Sequence, residues 1–221
     1  MTTSDIDFSE RTVIVAGGTS GINLGVARNF ADAGANVGVI GRSHEKIDSA
    51  VRFLKEAGVS AHGFSADVRD YAKVTEAFEM FNAKFGEFDV LVSGAAGNFP
   101  ARAMDMSSNG FAAVMNIDLL GSYHVLRAAY PYLRKPGGSV INISAPQSFI
   151  PMILQSHVCA AKAGVDMLTR TLAMEWGSEG VRVNSIVPGP IQDTEGMKRL
   201  CLLYTSPSPR DRTRSRMPSS A

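Results

Sequence analysis

The chain has 221 residues, 45% hydrophobic and 19% charged, which suits one globular domain with a sizeable core and excludes a fibrous or disordered protein. A net charge of +1 calls for no nucleic-acid partner, no run reaches the roughly 18–20 apolar residues of a membrane span, and MTTSDIDFSE lacks the basic and apolar regions of a signal peptide. Two cysteines, Cys159 and Cys201, make neither a disulfide framework nor a metal cage, so a reducing compartment and no metal are expected.

The apolar run Thr12–Ala16 predicts a first strand, followed at once by Ala16-Gly17-Gly18-Thr19-Ser20-Gly21-Ile22-Asn23 and a helical pattern over Leu24–Ala33. A turn that binds a dinucleotide needs glycines so that backbone and helix N-terminus can approach the pyrophosphate. Gly17, Thr19, Ser20, Gly21 and Ile22 are the candidate contacts. A second strand, Asn36–Ile40, leads to Gly41-Arg42-Ser43. An acid there would bind the ribose hydroxyls of NAD; Arg42 instead suits the 2′-phosphate of NADP(H).

A helix over Glu45–Ala57 and a strand over Ser60–Ser65 come next, then Asp67-Val68 ahead of a helix over Val74–Phe85. Asp67 is either a ligand contact or an N-cap for the segment beginning near Asp70. The fourth strand, Val90–Ser93, runs into Gly94-Ala95-Ala96-Gly97-Asn98-Phe99. It is followed by one long helix over Ser107–Leu133, in which Ser107-Ser108-Asn109 could act as a cap. A strand over Ser139–Ile143, a helix from about Ile153 to Trp176 and a strand over Val181–Val187 complete the pattern. Gly34, Gly58 and Gly86 fall where helix C-termini need a left-handed residue. Strands alternating with helices predict an α/β fold, a doubly wound, Rossmann-like parallel sheet covered on both faces, over residues 1–200.

After Leu200 the grammar changes. Residues 201–221, CLLYTSPSPRDRTRSRMPSSA, are rich in Ser, Pro and Arg and carry four arginines against one aspartate. They resemble translated sequencing-adapter DNA: TGT CTC TTA TAC ACA TCT encodes Cys201 to Ser206, CCG AGC CCA CGA GAC encodes Pro207 to Asp211, and TCT CGT ATG CCG TCT TCT GCT encodes Ser215 to Ala221. This tail is expected to be artefactual, outside the fold, with the natural chain continuing past Leu200.

With these residues in view, the chain resembles the short-chain dehydrogenases/reductases, in which Gly17 and Gly21 match the TGxxxGxG spacing. Ala16 stands in place of the usual Thr and Asn23 in place of the third glycine; the latter could loosen helix–sheet packing or change the pyrophosphate contact. The family's NNAG appears as Ser93-Gly94-Ala95-Ala96. Its sheet of about seven strands shows six here, so the resemblance implies a C-terminal truncation. Asp67 and Val68 fall where the family touches adenine, Ala95 along the cofactor, and Pro188, Gly189, Ile191 and Thr194 in the nicotinamide loop.

The catalytic residues depart further. The family's Tyr stands one helical turn before its Lys; Lys162 is retained, but Val158 and Ala145 stand where Tyr and Ser align, and Asp118 where an Asn is usual. AAGNF, Asp118, Lys162 and the later Pro-Gly-Pro and Thr-Glu-Gly runs are similar to the peroxisomal type of 2,4-dienoyl-CoA reductase and its bacterial relatives. That resemblance implies NADP(H)-dependent reduction of a dienoyl-CoA thioester to a 3-enoyl-CoA in fatty-acid β-oxidation. It also implies a tetrameric assembly, and a cytoplasmic location in a bacterium or a peroxisomal one in a eukaryote. Asp118 and Lys162 would position a proton-donating water, with Lys162 also on the cofactor. Arg42, Arg69, Phe99, Ser107, Ser108, Asn109 and Arg199 fit substrate positions, the arginines for coenzyme A phosphates. A generic short-chain reductase with another substrate and a catalytically silent NADP-binding scaffold are the alternatives. His157, beside the vacated Tyr position, is a further candidate acid or a packing residue.

Overall fold

The central strands are apolar and buried on both faces, which only a sheet with helices on either side can provide. In the computed structural model, which describes residues 7–189 and 191, β1 (Thr12–Ala16), β2 (Asn36–Gly41), β3 (Ala61–Ser65), β4 (Val90–Ser93), β5 (Ser139–Ile143) and β6 (Arg182–Ile186) form one sheet in the order β3-β2-β1-β4-β5-β6. Every pairing is parallel, with Thr12 opposite Asn36 and Val13 opposite Val90. The expected doubly wound sheet is therefore present. Residues 201–221, including the tail read as adapter sequence, lie outside the described residues, as does any further strand.

Alternation within the strands splits the core in two. Val13, Val15, Val37 and Val39 face Ala27 and Ala31 of α1 (Gly21–Asp32) and Ala50 and Leu54 of α2 (His44–Lys55). Ile14, Ile40, Leu91 and Val140 face the other way. There they meet Phe78 and Phe81 of α3 (Tyr71–Phe85), Val125 and Leu126 of α5 (Gly121–Ala129) and Leu172 and Trp176 of α6 (Ser156–Gly177). Gly34, Gly58 and Gly86 take positive φ of 95°, 81° and 75°, as helix ends require.

Two expectations need correction. The long helix over Ser107–Leu133 is not continuous: α4 (Ser108–Val114) passes into a π-helical segment, Met115–Leu120, before α5, and a 3-10 turn follows at Tyr130–Tyr132. Such wide turns are uncommon inside helices and gather at functional sites; Asp118 sits in this one. The sixth helix begins at Ser156 rather than Ile153, after a 3-10 turn at Pro146–Ser148 and a loop in which Leu154 has φ of 65°.

At the N-terminal edge of the sheet, Asp89 accepts hydrogen bonds from Arg11 (2.7 Å), Arg134 (2.7 Å) and the Thr12 N–H (2.9 Å). Burial alone would raise its pKa, but the bonds from Arg134, Thr12 and Arg11 outweigh it and hold the carboxyl below the ordinary value. A lowered folded-state value stabilises the protein above the unfolded carboxyl range, and that contribution is lost as pH falls through the folded value. Asp89→Asn should therefore lower the urea midpoint at pH 7 and flatten its acid dependence; an unchanged midpoint and slope would remove this role.

Candidate functional site

The strand order reverses between β1 and β4, so their C-terminal ends diverge and leave a crevice, the usual ligand position in open α/β sheets. A cleft of about 300 Å³ opens there, walled by the β1 turn, the β2 end and the β4 loop. Gly17 (φ 78°) lies so close to the β4 loop that a Cβ would stand 2.9 Å from the backbone of Ala95, a position only glycine fills. The first helical bond of α1 runs from the Leu24 N–H to the Ser20 oxygen (3.3 Å), so the N–H groups of Gly21 and Ile22 precede the ladder, and the Ser20 side chain does not cap them. Together these features fit the pyrophosphate of a dinucleotide.

Gly17, Thr19, Ser20, Arg42, Asp67, Val68 and Ala95 all line the cleft. Asp67, the one acid among the described lining residues, is engaged: Arg69 donates to it in a bidentate pair at 2.9 and 2.6 Å, which lowers its pKa. Arg69 thus stands beside the dinucleotide cleft rather than apart from it. The helix cap expected of Asp67 is supplied by Asp70, which accepts from Lys73 N–H. Pro188 is half-buried, Gly189 and Ile191 are exposed, and Thr194 and Arg199 lie outside the described residues.

Lys46, not singled out in the sequence, lines the same cleft one helical turn beyond Arg42, and Ser43 between them caps α2 by accepting from the Lys46 N–H (3.3 Å). Its signal was a second cation four residues after Arg42 at a helix start. Asn23 does not loosen the packing: its amide donates to the Gly94 oxygen (2.8 Å) and the Gly17 oxygen (3.4 Å).

Beyond Ile117, which also lines the cleft, lies the predicted pair. Asp118 is 1% exposed, and its Oδ2 stands 3.6 Å from Lys162 Nζ, which donates to the Ile143 oxygen at 2.9 Å. Asp118 Oδ1 accepts from the Gly97 N–H (2.7 Å), while Oδ2 has no hydrogen-bond partner. Burial raises the Asp118 pKa, and the opposing Lys162 charge and Gly97 bond do not fully offset it. Val158, in the position of the family's Tyr, is buried against Val114 and Ala161 and offers no proton.

Other buried polar atoms without partners lie at the end of β5 and the start of α6: Ser144 Oγ, Gln147 Oε1, Ser148 Oγ and both ring nitrogens of His157. His157 packs edge-on against Phe99 (4.6 Å between centroids), and Gln147 donates to Gln155 (2.8 Å). Orphaned buried groups cost about 1–3 kcal/mol each, so such a concentration marks a site built for something other than folding. Ser107 caps α4 by accepting from the Gly110 N–H (3.1 Å). It also lines, with Ser108, Met106, Phe111 and Ser156, a second cleft; Asn109 is exposed. The irregular turn at Pro146–Ser148 carried no periodicity from which the roles of Gln147 and Ser148 could be read.

The sheet, the glycine turn at its switch point and the retained lysine define a dinucleotide-binding α/β oxidoreductase. The profile of the short chain dehydrogenase family matches residues 11–201, and the chain belongs to that family. Its members bind nicotinamide cofactors. The chain is 42% identical over 200 residues to the peroxisomal 2,4-dienoyl-CoA reductase [(3E)-enoyl-CoA-producing] of Arabidopsis thaliana, covering 86% of this chain and 67% of that one. It is 36% identical over 196 residues to a probable 2,4-dienoyl-CoA reductase [(2E)-enoyl-CoA-producing] of Bacillus subtilis, covering 87% and 77%. Among solved structures, a citronellol catabolism dehydrogenase of Pseudomonas aeruginosa superposes with a TM-score of 0.79 at 35% identity, over 86% of this chain and 78% of that one. The chain thus spans about two thirds of the length of the plant relative.

A raised Asp118 pKa means that the folded protein holds this proton to higher pH than the unfolded chain does. Its favourable contribution is present below the unfolded carboxyl range, about 4, and is lost as pH rises through the folded value. Asp118→Asn, which does not titrate, should gain in melting temperature relative to the wild type as pH is raised from about 4 to neutrality. A difference that stays flat with pH would show that the buried carboxylate carries no such cost.

Proposed function

We propose that this protein is an NADPH-dependent reductase of 2,4-dienoyl-CoA thioesters. The observation that carries the reading is the buried Asp118–Lys162 pair in a site where Val158 and Ala145 leave neither a phenol nor the usual hydroxyl. Ketone reduction needs a positioned donor such as a phenol to protonate the oxygen as the alkoxide forms; a conjugated thioester needs only a place for the dienolate oxygen and a proton for carbon. The names of the plant and bacterial relatives support the same substrate class.

A bound NADPH supplies the hydride. Gly17, Thr19, Ser20, Gly21 and Ile22 would hold its pyrophosphate, Asp67, Val68 and Ala95 its adenosine and flank, and Arg42 with Lys46 its 2′-phosphate. Pro188 and Gly189 would lie along the nicotinamide, the place that the family resemblance also gives to Ile191 and Thr194 in the sequence. Asp118 Oδ2 and Lys162 Nζ would orient a water that passes a proton to the α-carbon of the dienolate and takes one back from the Asp118 carboxyl. Burial keeps Asp118 protonated further up the pH scale than a surface carboxyl, which favours a donor role. Phe99, Ser107, Ser108 and Asn109 border the thioester's path, and the anionic coenzyme A is matched to Arg42, Arg69 and Arg199. By the family resemblance, the whole protein would assemble as a homo-oligomer.

The test is the protein with NADPH and 2,4-hexadienoyl-CoA, followed by NADPH absorbance with the product identified. One NADPH consumed per 3-hexenoyl-CoA formed is expected, and Asp118→Asn should lower kcat by about 100-fold or more, the usual scale of a positioned acid. Binding of NADPH without turnover would sink the dienoyl reading, and undiminished turnover in Asp118→Asn would sink the role of that residue. A 2-enoyl product would place the chemistry with the bacterial relative's printed reaction. For the cofactor, Arg42→Ala should weaken NADPH by about 10–100-fold, the scale of a hydrogen bond to a charged group, and leave NADH within about twofold. Equal losses for both would refute the 2′-phosphate contact.

A further inference from the structure

We propose that Asn23 and Gly94 are a matched pair that sets the width of the dinucleotide crevice, with Asn23 as the positioning residue. Asn23 is the third residue of α1, on the β1 side of the switch point, and Gly94 follows β4 on the other side. The Asn23 amide crosses the crevice to the Gly94 oxygen at 2.8 Å and reaches the Gly17 oxygen of its own turn at 3.4 Å. Both partners are carbonyls, so only the NH2 end can serve them, and the amide orientation is settled by its partners. Asn23 Oδ1 is left buried without a partner, so the amide's contribution passes through its donors.

The room for this bond exists because residue 94 has no side chain. A Cβ on Gly94 would stand 2.4 Å from Asn23 Nδ2, 2.5 Å from Oδ1 and 2.7 Å from Cγ, so Asn23 fills the space that a side chain at 94 would take. Asparagine at 23 and glycine at 94 are thus a single choice, since either alone with a larger partner collides or leaves a gap. The choice matters at this helix position. A Glu or Gln three residues past the cap commonly folds back onto the N–H of the cap residue, here Ser20. Asn23 points across the crevice instead and adds no negative charge beside the N–H groups of Gly21 and Ile22, which precede the ladder.

The tie also couples the cofactor to the catalytic residues. Gly94 belongs to the loop that continues through Ala95 and Ala96, which line the cleft, to Gly97, whose N–H is bonded to Asp118. The backbone of Gly17 touches that loop within the distance at which a methyl group would clash. Asn23 therefore holds the turn that meets the pyrophosphate at a fixed distance from the loop that fixes Asp118.

The test is a double-mutant cycle on the full chain: Asn23→Gly, Gly94→Asn and the double exchange, each titrated with NADPH, with NADH and with 2′-AMP, which lacks the pyrophosphate. Asn23→Gly and Gly94→Asn should each raise the Kd for the dinucleotide by about tenfold, while 2′-AMP changes by less than about twofold. The double exchange, which returns an amide to the crevice from the other wall, should bind within about threefold of the wild type. The proposal needs only a nicotinamide dinucleotide in this cleft; a wild-type preference for NADH would overturn the 2′-phosphate reading above, and the cycle would be read on NADH. The pairing is overturned if Asn23→Gly binds dinucleotide as tightly as the wild type, or if the double exchange is no better than the weaker single variant. Loss of 2′-AMP binding in parallel would assign Asn23 to general stability rather than to the turn.

Discussion

The reversal of strand order between β1 and β4 is the constraint on which the rest of the molecule depends. Parallel strands deliver all their C-terminal ends to one side of the sheet, and a reversal leaves two neighbouring ends whose connections run in opposite directions. The gap between them is where backbone can meet a ligand without removing a ladder bond. Gly17 brings one wall within contact of Ala95 on the other, and Arg42 and Lys46 close the far end from β2 and α2. The opposite edge of the sheet is held by Asp89 and its two arginines, so the anchoring charges and the functional ones lie at opposite ends of the strands.

The candidate site carries a cost in stability. A carboxyl as buried as Asp118 resists ionisation, and here one oxygen is satisfied by Gly97 while the other faces Lys162 across 3.6 Å, beyond hydrogen-bond reach. The π-helical turn at Met115–Leu120 is what carries Asp118 there, between α4 and α5, and α6 approaches it closely enough that a Cβ on Gly164 would meet Leu119 at 2.8 Å. Backbone irregularity, a strained titration and several unpaired polar atoms at one place are a common mark of a functional site.

The resemblance read from the motifs and the family match over residues 11–201 meet on the same chain. The glycine turn and the retained Lys162 mark the family. The features on which the proposed substrate rests are departures from the family pattern: Val158 for a phenol, Ala145 for a hydroxyl, Asp118 for an amide. Under that proposal the Asp118–Lys162 pair that remains serves to place a proton on carbon.

Strand positions, the turn and Arg42 were legible in the sequence because each rests on neighbours within a few residues: apolar runs, a glycine spacing, a charge at a strand end. Even the Asp118–Lys162 pairing was readable by family pattern. Its depth was not, nor was the π-helical turn, since the same residues satisfy an ordinary helical pattern. Lys46 carries no local signal beyond a second cation at a helix start, because only the position of α2 beside the crevice makes it a lining residue. Asn23 looked like a defect in a motif, because its partner is 71 residues away and is a backbone oxygen exposed to it only by the absence of a side chain at Gly94. Local chemistry determined what the elements are and what they carry; tertiary structure alone decided which carbonyls, carboxylates and cations share a wall, because those contacts are made between strands that are adjacent in space and distant in sequence.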